Sequence, residues 1–98
     1  MEITSKQRKF LEKQAVPLSP LVIIGGNGLV DSVQEKIEQC LEHHELIKVK
    51  FNEFKDEKLE LANKIAQTAD AVLVRVIGNV AIFYKQNEDP EKRNVKLS

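Results

Sequence analysis

Ninety-eight residues with 42% apolar and 31% charged content suffice for one hydrophobic core and are too few for two. Fifteen basic residues balance fifteen acidic ones, which removes net charge as a reason to bind nucleic acid, and the single cysteine, Cys40, excludes an intramolecular disulfide and a cysteine-based structural zinc site. No run reaches the roughly 18–20 apolar residues that span a bilayer, and the N-terminus lacks a secretory pattern, so a soluble cytoplasmic protein without membrane contact is expected.

Taken in chain order, Thr4 or Ser5 can cap a short basic helix ending near Gln14, before the Pro17 to Pro20 segment stops it. Leu21-Val22-Ile23-Ile24 is a continuous apolar run bounded by Pro20 and Gly25, as expected of a strand covered on both faces. After Gly25-Gly26-Asn27-Gly28, the residues Leu29, Val33, Ile37, Cys40, Leu41 and His44 recur at helical spacing, with Asp31 and Gln34 as a candidate capping box. In Leu46 to Phe51 the period becomes two: Ile47, Val49 and Phe51 point one way, Lys48 and Lys50 the other.

A third helix is expected from Asp56 to about Thr68, packing through Leu59, Ala62, Ile65, Ala66 and Ala69 and leaving Leu61 nearer solvent. Ala71 to Ile77 and Val80 to Tyr84 are β-branched runs around Gly78-Asn79, two residues able to take positive φ, and so predict a hairpin. Residues 86–98 are polar, contain Pro90 and predict a flexible tail tied down through Val95 or Leu97. The whole is one α/β (α+β) domain in the order helix, strand, helix, strand, helix, strand, strand, with a mixed sheet and the second and third helices on one face. Alternation is expected to gather Lys48, Lys50, Arg75 and Lys85 on the other face, with Leu73 and Phe83 between them.

Charge is unevenly distributed. Lys6, Arg8, Lys9 and Lys13 face only Glu12 on the first helix, whereas Asp31, Glu35, Glu38, Glu42 and Glu45 face only Lys36 on the second, so separate basic and acidic surfaces are expected. The glycine segment follows a strand and opens a helix, where backbone N–H groups and the helix dipole attract anions such as phosphate. Glycine leaves the backbone open to close approach, and Asn27 offers an amide to phosphate or sugar. The same turn is common as a purely structural element of α/β folds. A P-loop is excluded by the missing Lys-Ser or Lys-Thr, and a dinucleotide fingerprint by the missing third glycine.

The string Val22-Ile23-Ile24-Gly25-Gly26-Asn27-Gly28-Leu29, then Glu42-His43-His44-Glu45-Leu46-Ile47-Lys48-Val49-Lys50, then Val76-Ile77-Gly78 and Ala81-Ile82-Phe83-Tyr84, closely resembles the CRM domain, in particular the free-standing bacterial YhbY-type proteins. The likeness runs from about Thr4 to Lys85, so residues 1–85 are assigned to that domain and 86–98 to the tail. It implies a mixed four-stranded sheet with three helices, similar to the C-terminal domain of translation initiation factor 3. It also implies binding of structured RNA, with Gly25, Gly26, Asn27 and Gly28 as the GxxG loop on the backbone, and Lys6, Arg8, Lys9, Lys13, Lys48, Lys50, Arg75 and Lys85 as electrostatic support.

A single domain without extensions matches the members linked to the precursor of the large ribosomal subunit, so large-subunit ribosomal RNA, with ribosomal proteins alongside, is the expected partner and DNA is not. Val30 stands where members of the family often have threonine. No catalysis, cofactor or metal is expected: His43 and His44 are adjacent, do not face one way along a helix and lack further ligands. Cys40 falls on the apolar stripe, as a small buried thiol does, and Tyr84 and Phe83 can serve as a stacking platform or as core. The alternative reading is a protein-protein adaptor docking through the acidic helix or a sheet edge, with the glycine loop purely structural.

Overall fold

Thr4 caps the first helix with its hydroxyl on the Gln7 N–H, while the Gln7 side chain accepts from the Thr4 N–H, which satisfies two otherwise unpaired donors. This helix is α1 (Ser5–Ala15) in the computed structural model, which describes residues 1–97. There follow β1 (Val22–Ile24), α2 (Asp31–His44), β2 (Leu46–Phe51), a 3-10 turn (Lys55–Glu57), α3 (Lys58–Ala69), β3 (Val72–Ile77) and β4 (Val80–Tyr84). The strands form one mixed sheet in the order β1-β2-β4-β3, with β1 parallel to β2 and the other neighbours antiparallel.

Two cores lie on opposite faces of this sheet. Against α2 and α3 pack Ile24, Val49, Phe51, Phe83, Ile37, Leu41 and Ile65, among others. Beneath α1 lie Leu46, Val72, Val74, Ile82 and Tyr84, closed by Leu11 and Ala15, with Ile3, Val95 and Leu97 at the rim. Burying both faces is what allows apolar residues to occupy Leu46 as well as Ile47 in β2.

Several expectations are corrected by this arrangement. β1 is an edge strand covered on one face only, because α1 lies over the far end of the sheet, and Ile23 is 55% exposed. Asp31 and Gln34 form no capping box: the N-cap of α2 is Val30, without a side-chain cap, and the Gln34 amide instead donates to Glu38 and to the Ile65 carbonyl. Leu59 is 59% exposed, whereas Leu61 packs against the first core. Leu61 lies one turn before Ile65, on the side of α3 where α2 sits, and Leu59 falls on the open side.

Leu73 and Phe83 do not sit among the lysines. Phe83 pairs with Ile47, and alternation therefore places it with Ile47 toward α2 and α3, together with Leu73. A register shift between Leu73 and Arg75 lets Val74 enter the second core while Arg75 stays opposite Ile82. In the hairpin only Gly78 takes a positive φ.

Glu45, expected on the acidic surface, is wholly buried. Its N–H closes α2 on the Leu41 carbonyl in an unusual conformation with φ 61°, and its carboxylate accepts the backbone N–H groups of Asn87, Asn94 and Val95. The polar tail is thus held along the end of α2, with Asn87 and Asn94 side chains donating to the Glu42 and His43 carbonyls. Val95 and Leu97 pack on the second core, as the tie predicted for them requires; Ser98 lies outside the described residues. His43 and His44 are both exposed, and Cys40 is half-buried against the first core.

Candidate functional site

β1 and β2 run parallel, and β3 runs the same way because both it and β2 are antiparallel to β4. The connections that leave β1, β2 and β3 therefore emerge at one end of the sheet. Asn52 and Glu53 donate to the Ile24 carbonyl, and Phe51 donates to that of Asn79, so the glycine loop, the Asn52–Phe54 segment and the hairpin turn form one continuous rim.

Within the loop, the Gly28 N–H bonds the Gly25 carbonyl at 3.0 Å, closing a tight turn around Gly26 and Asn27. Gly28 is buried with φ +70°, and a β-carbon there would stand 3.2 Å from Cε2 of Phe54. Glycine is needed at this position for conformation and for space. Gly25 and Gly26 differ: both are exposed, neither has a left-handed φ, and a β-carbon on either meets nothing within 4 Å. Asn27 is exposed, makes no hydrogen bond among the described residues, and does not use the left-handed conformation it tolerates.

The loop leads into α2, whose first acceptor, the Val30 carbonyl, takes the Val33 and Gln34 N–H groups. The N–H groups ahead of these face outward with the positive end of the helix dipole. Asp31, in the first turn of α2, sets a negative charge close by and opposes an incoming anion.

The structure divides the basic candidates into two groups. Lys6, Lys9 and Lys13 on α1, and Lys50 on β2, are exposed and unpaired among the described residues. The other four have intramolecular partners. Arg8 donates to the carbonyls of Leu73 and Val74 at the β3 irregularity, and Arg75 pairs with Glu12 at 3.2 Å. Lys48 donates to the Val16 and Leu18 carbonyls, fastening the end of α1, and Lys85 donates to Ala69 at the end of α3.

Lys48, Lys50 and Arg75 do share the α1 face of the sheet, as register requires. Lys85 has the parity of Phe83 and turns toward α3 instead. Basic α1 and the exposed acidic stripe Asp31, Glu35, Glu38 and Glu42 of α2 lie on opposite faces of the molecule. Phe83 and Tyr84 are buried and form no stacking platform.

Three further residues belong to the rim without any motif in the sequence to mark them. Phe54, at φ 57°, covers Gly28; Lys55 is exposed beside it; and Lys58 donates to the Asn79 side chain at 3.2 Å, joining α3 to the hairpin turn. The signal that could find them is topological: parallel neighbouring strands bring their following loops to the same end of a sheet.

The fold has close counterparts. Residues 3–85 match the CRS1 / YhbY (CRM) domain. A protein of Haemophilus influenzae (strain ATCC 51907 / DSM 11121 / KW20 / Rd) named RNA-binding protein is 39% identical over 88 residues, covering 89% of each chain. Probable RNA-binding protein YqeI of Bacillus subtilis (strain 168) is 32% identical over 96 residues, 97% of this chain and 98% of the relative. The solution structure of SAV1595 from Staphylococcus aureus superposes with a TM-score of 0.79 at 31% identity, over 97% of this chain and 100% of that one. With a matching domain over nearly all its helices and strands, and relatives of its own length, this chain belongs to the CRS1/YhbY (CRM) domain family.

Proposed function

We propose that this protein is a non-catalytic RNA-binding module whose Gly25–Gly28 loop lies on the backbone of structured RNA, with large-subunit ribosomal RNA or its precursor as the target. The observation that carries this reading is the pair Gly25 and Gly26. The isolated fold has neither a conformational nor a spatial need for glycine at either position. A partner that must approach the main chain supplies the need. The exposed loop N–H groups and Asn27 suit phosphate and sugar oxygens, while Lys6, Lys9, Lys13 and Lys50 add attraction that reads no sequence. The names of the relatives agree with RNA as the ligand.

The test is a binding titration against large-subunit ribosomal RNA fragments over a salt series, comparing the protein with the variant Gly26→Asp/Asn27→Asp. Two carboxylates then stand where phosphate is expected, and Gly25 and Gly28 still make the turn. A folded variant that has lost RNA supports the reading. Equal binding by a folded variant makes the loop structural and shifts attention to the exposed acidic stripe of α2, the surface through which an adaptor would hold a basic protein. Lysine at Glu35, Glu38 and Glu42 abolishes that second kind of capture and leaves RNA binding in place if the first reading holds.

A further inference from the structure

One row of the sheet, at the rim end of the α1 face, is left open. Ile23 pairs with Lys50, Lys50 with Val80, and Val80 with Ile77, so these four side chains cross all four strands on a single line. Ile23 and Ile77 are 55% and 51% exposed, Lys50 is exposed, and Val80 is half-buried. The line is roughly 14 Å long at about 4.8 Å per strand. Lys48 and Arg75 occupy the next row inward. Beyond them runs the Glu12 edge of α1, which helical spacing makes the edge of Lys9 as well.

We propose that this row is a second RNA-contacting surface, which seats unpaired bases of the strand whose backbone lies on the glycine loop; the proposal rests on the RNA-binding reading above and extends it to single-stranded segments. Phosphates alone account for lysines but not for two half-exposed isoleucines placed on either side of one. An apolar line with a cation in it matches a base with its phosphate, and four-stranded sheets elsewhere hold about two or three unstacked bases on an open face. Ile23 is the penultimate residue of β1, and Gly25 follows the strand's last residue, Ile24, so the row adjoins the loop and an RNA strand leaving the loop is within reach of it. Charge favours RNA over a protein occupant: the row contains one cation, the next row two more, and the acid on its inward side, Glu12, is already paired with Arg75.

The experiment compares two RNAs, a hairpin stem closed at its end and the same stem with a short unpaired extension. These are titrated against the wild-type protein, the variant Ile23→Thr/Ile77→Thr and the loop variant Gly26→Asp/Asn27→Asp. Threonine keeps the β-branched shape, and circular dichroism with a urea midpoint verifies the fold; the single variant Ile77→Thr gives the same readout if the double one unfolds. The expected result is about tenfold tighter wild-type binding to the extended RNA, reduced to parity in the isoleucine variant, whose affinity for the closed stem is unchanged. A wild type that binds both RNAs equally through its loop overturns this proposal and leaves the loop reading standing. So does an isoleucine variant that keeps the preference, which leaves the row to a protein partner. If the wild type binds neither RNA, the RNA-binding reading fails, and this inference with it.

Discussion

The ring of Phe54 lies against Gly28 so closely that a β-carbon on the glycine would stand 3.2 Å from Cε2. Gly28 also holds φ +70°, a conformation that costs other residues roughly 1–3 kcal/mol. Gly28→Ala is therefore expected to lower stability by about that amount in urea unfolding. Gly26→Ala, with open space and no left-handed φ, should leave stability within about 0.5 kcal/mol of wild type and weaken RNA binding. If both alanines destabilise alike, the division of the loop into a structural and a contacting glycine is wrong.

Glu45 predicts a different phenotype. Its buried carboxylate takes three backbone N–H groups of the tail, and glutamine sets an amide donor among those donors. Leaving a buried partner unmet costs about 1–3 kcal/mol. Glu45→Gln should lose stability in that range, with the fastest amide exchange appearing at Asn87, Asn94 and Val95. Unchanged protection at these amides would show that Val95 and Leu97 alone hold the tail.

Tyr84 gives a dependence on pH. Burial, and after it the Glu45 carboxylate, raises its pKa above the ordinary 10.0. Above about pH 10 the unfolded tyrosine releases its proton while the folded one keeps it, so the folded state binds more protons and stability falls as pH rises. The contribution is fully present below the unfolded value and diminishes toward the raised folded value. Tyr84→Phe should remove this part of the alkaline loss, and whatever is common to both proteins cancels in the difference. Parallel stability curves for the two proteins from pH 9 to 11 count against it.

The parts of the fold that local pattern determines are legible in the amino-acid sequence. The period of two in Leu46–Phe51, a capping residue at Thr4 or Ser5 ahead of α1, and Gly78 between β-branched runs each specify their element with residues close in the chain. What depends on distant partners is not legible. Glu45 reads as one more acid on an acidic helix until Asn94, 49 residues on, is seen to donate to it. Leu59 and Leu61 are equally apolar, and the position of α2 decides between them. Simple alternation puts Leu73 and Phe83 on the wrong face, because their parity relative to Lys48 follows from register and from the shift at Val74. For the site, the loop is visible as a motif. Phe54 and Lys58 enter it only through the parallel pairing of β1 with β2.

The basic residues should separate by experiment into those that hold the fold and those available to RNA. Arg8 and Lys48 donate to main-chain carbonyls that join α1 to the sheet and to the turn after it, so Arg8→Gln and Lys48→Gln are expected to cost about 1–2 kcal/mol in urea unfolding. Lys9 and Lys13 are exposed and unpaired among the described residues; their glutamine variants should unfold as wild type does. In RNA titrations, each lysine that touches a phosphate should reduce the slope of log affinity against log salt by roughly 0.7–0.9 when removed. An Arg8→Gln variant that folds with wild-type stability and flattens the salt slope as Lys9→Gln does would mean that the guanidinium leaves Leu73 and Val74 for the RNA, and that the helix anchor and the phosphate contact are alternatives for one side chain.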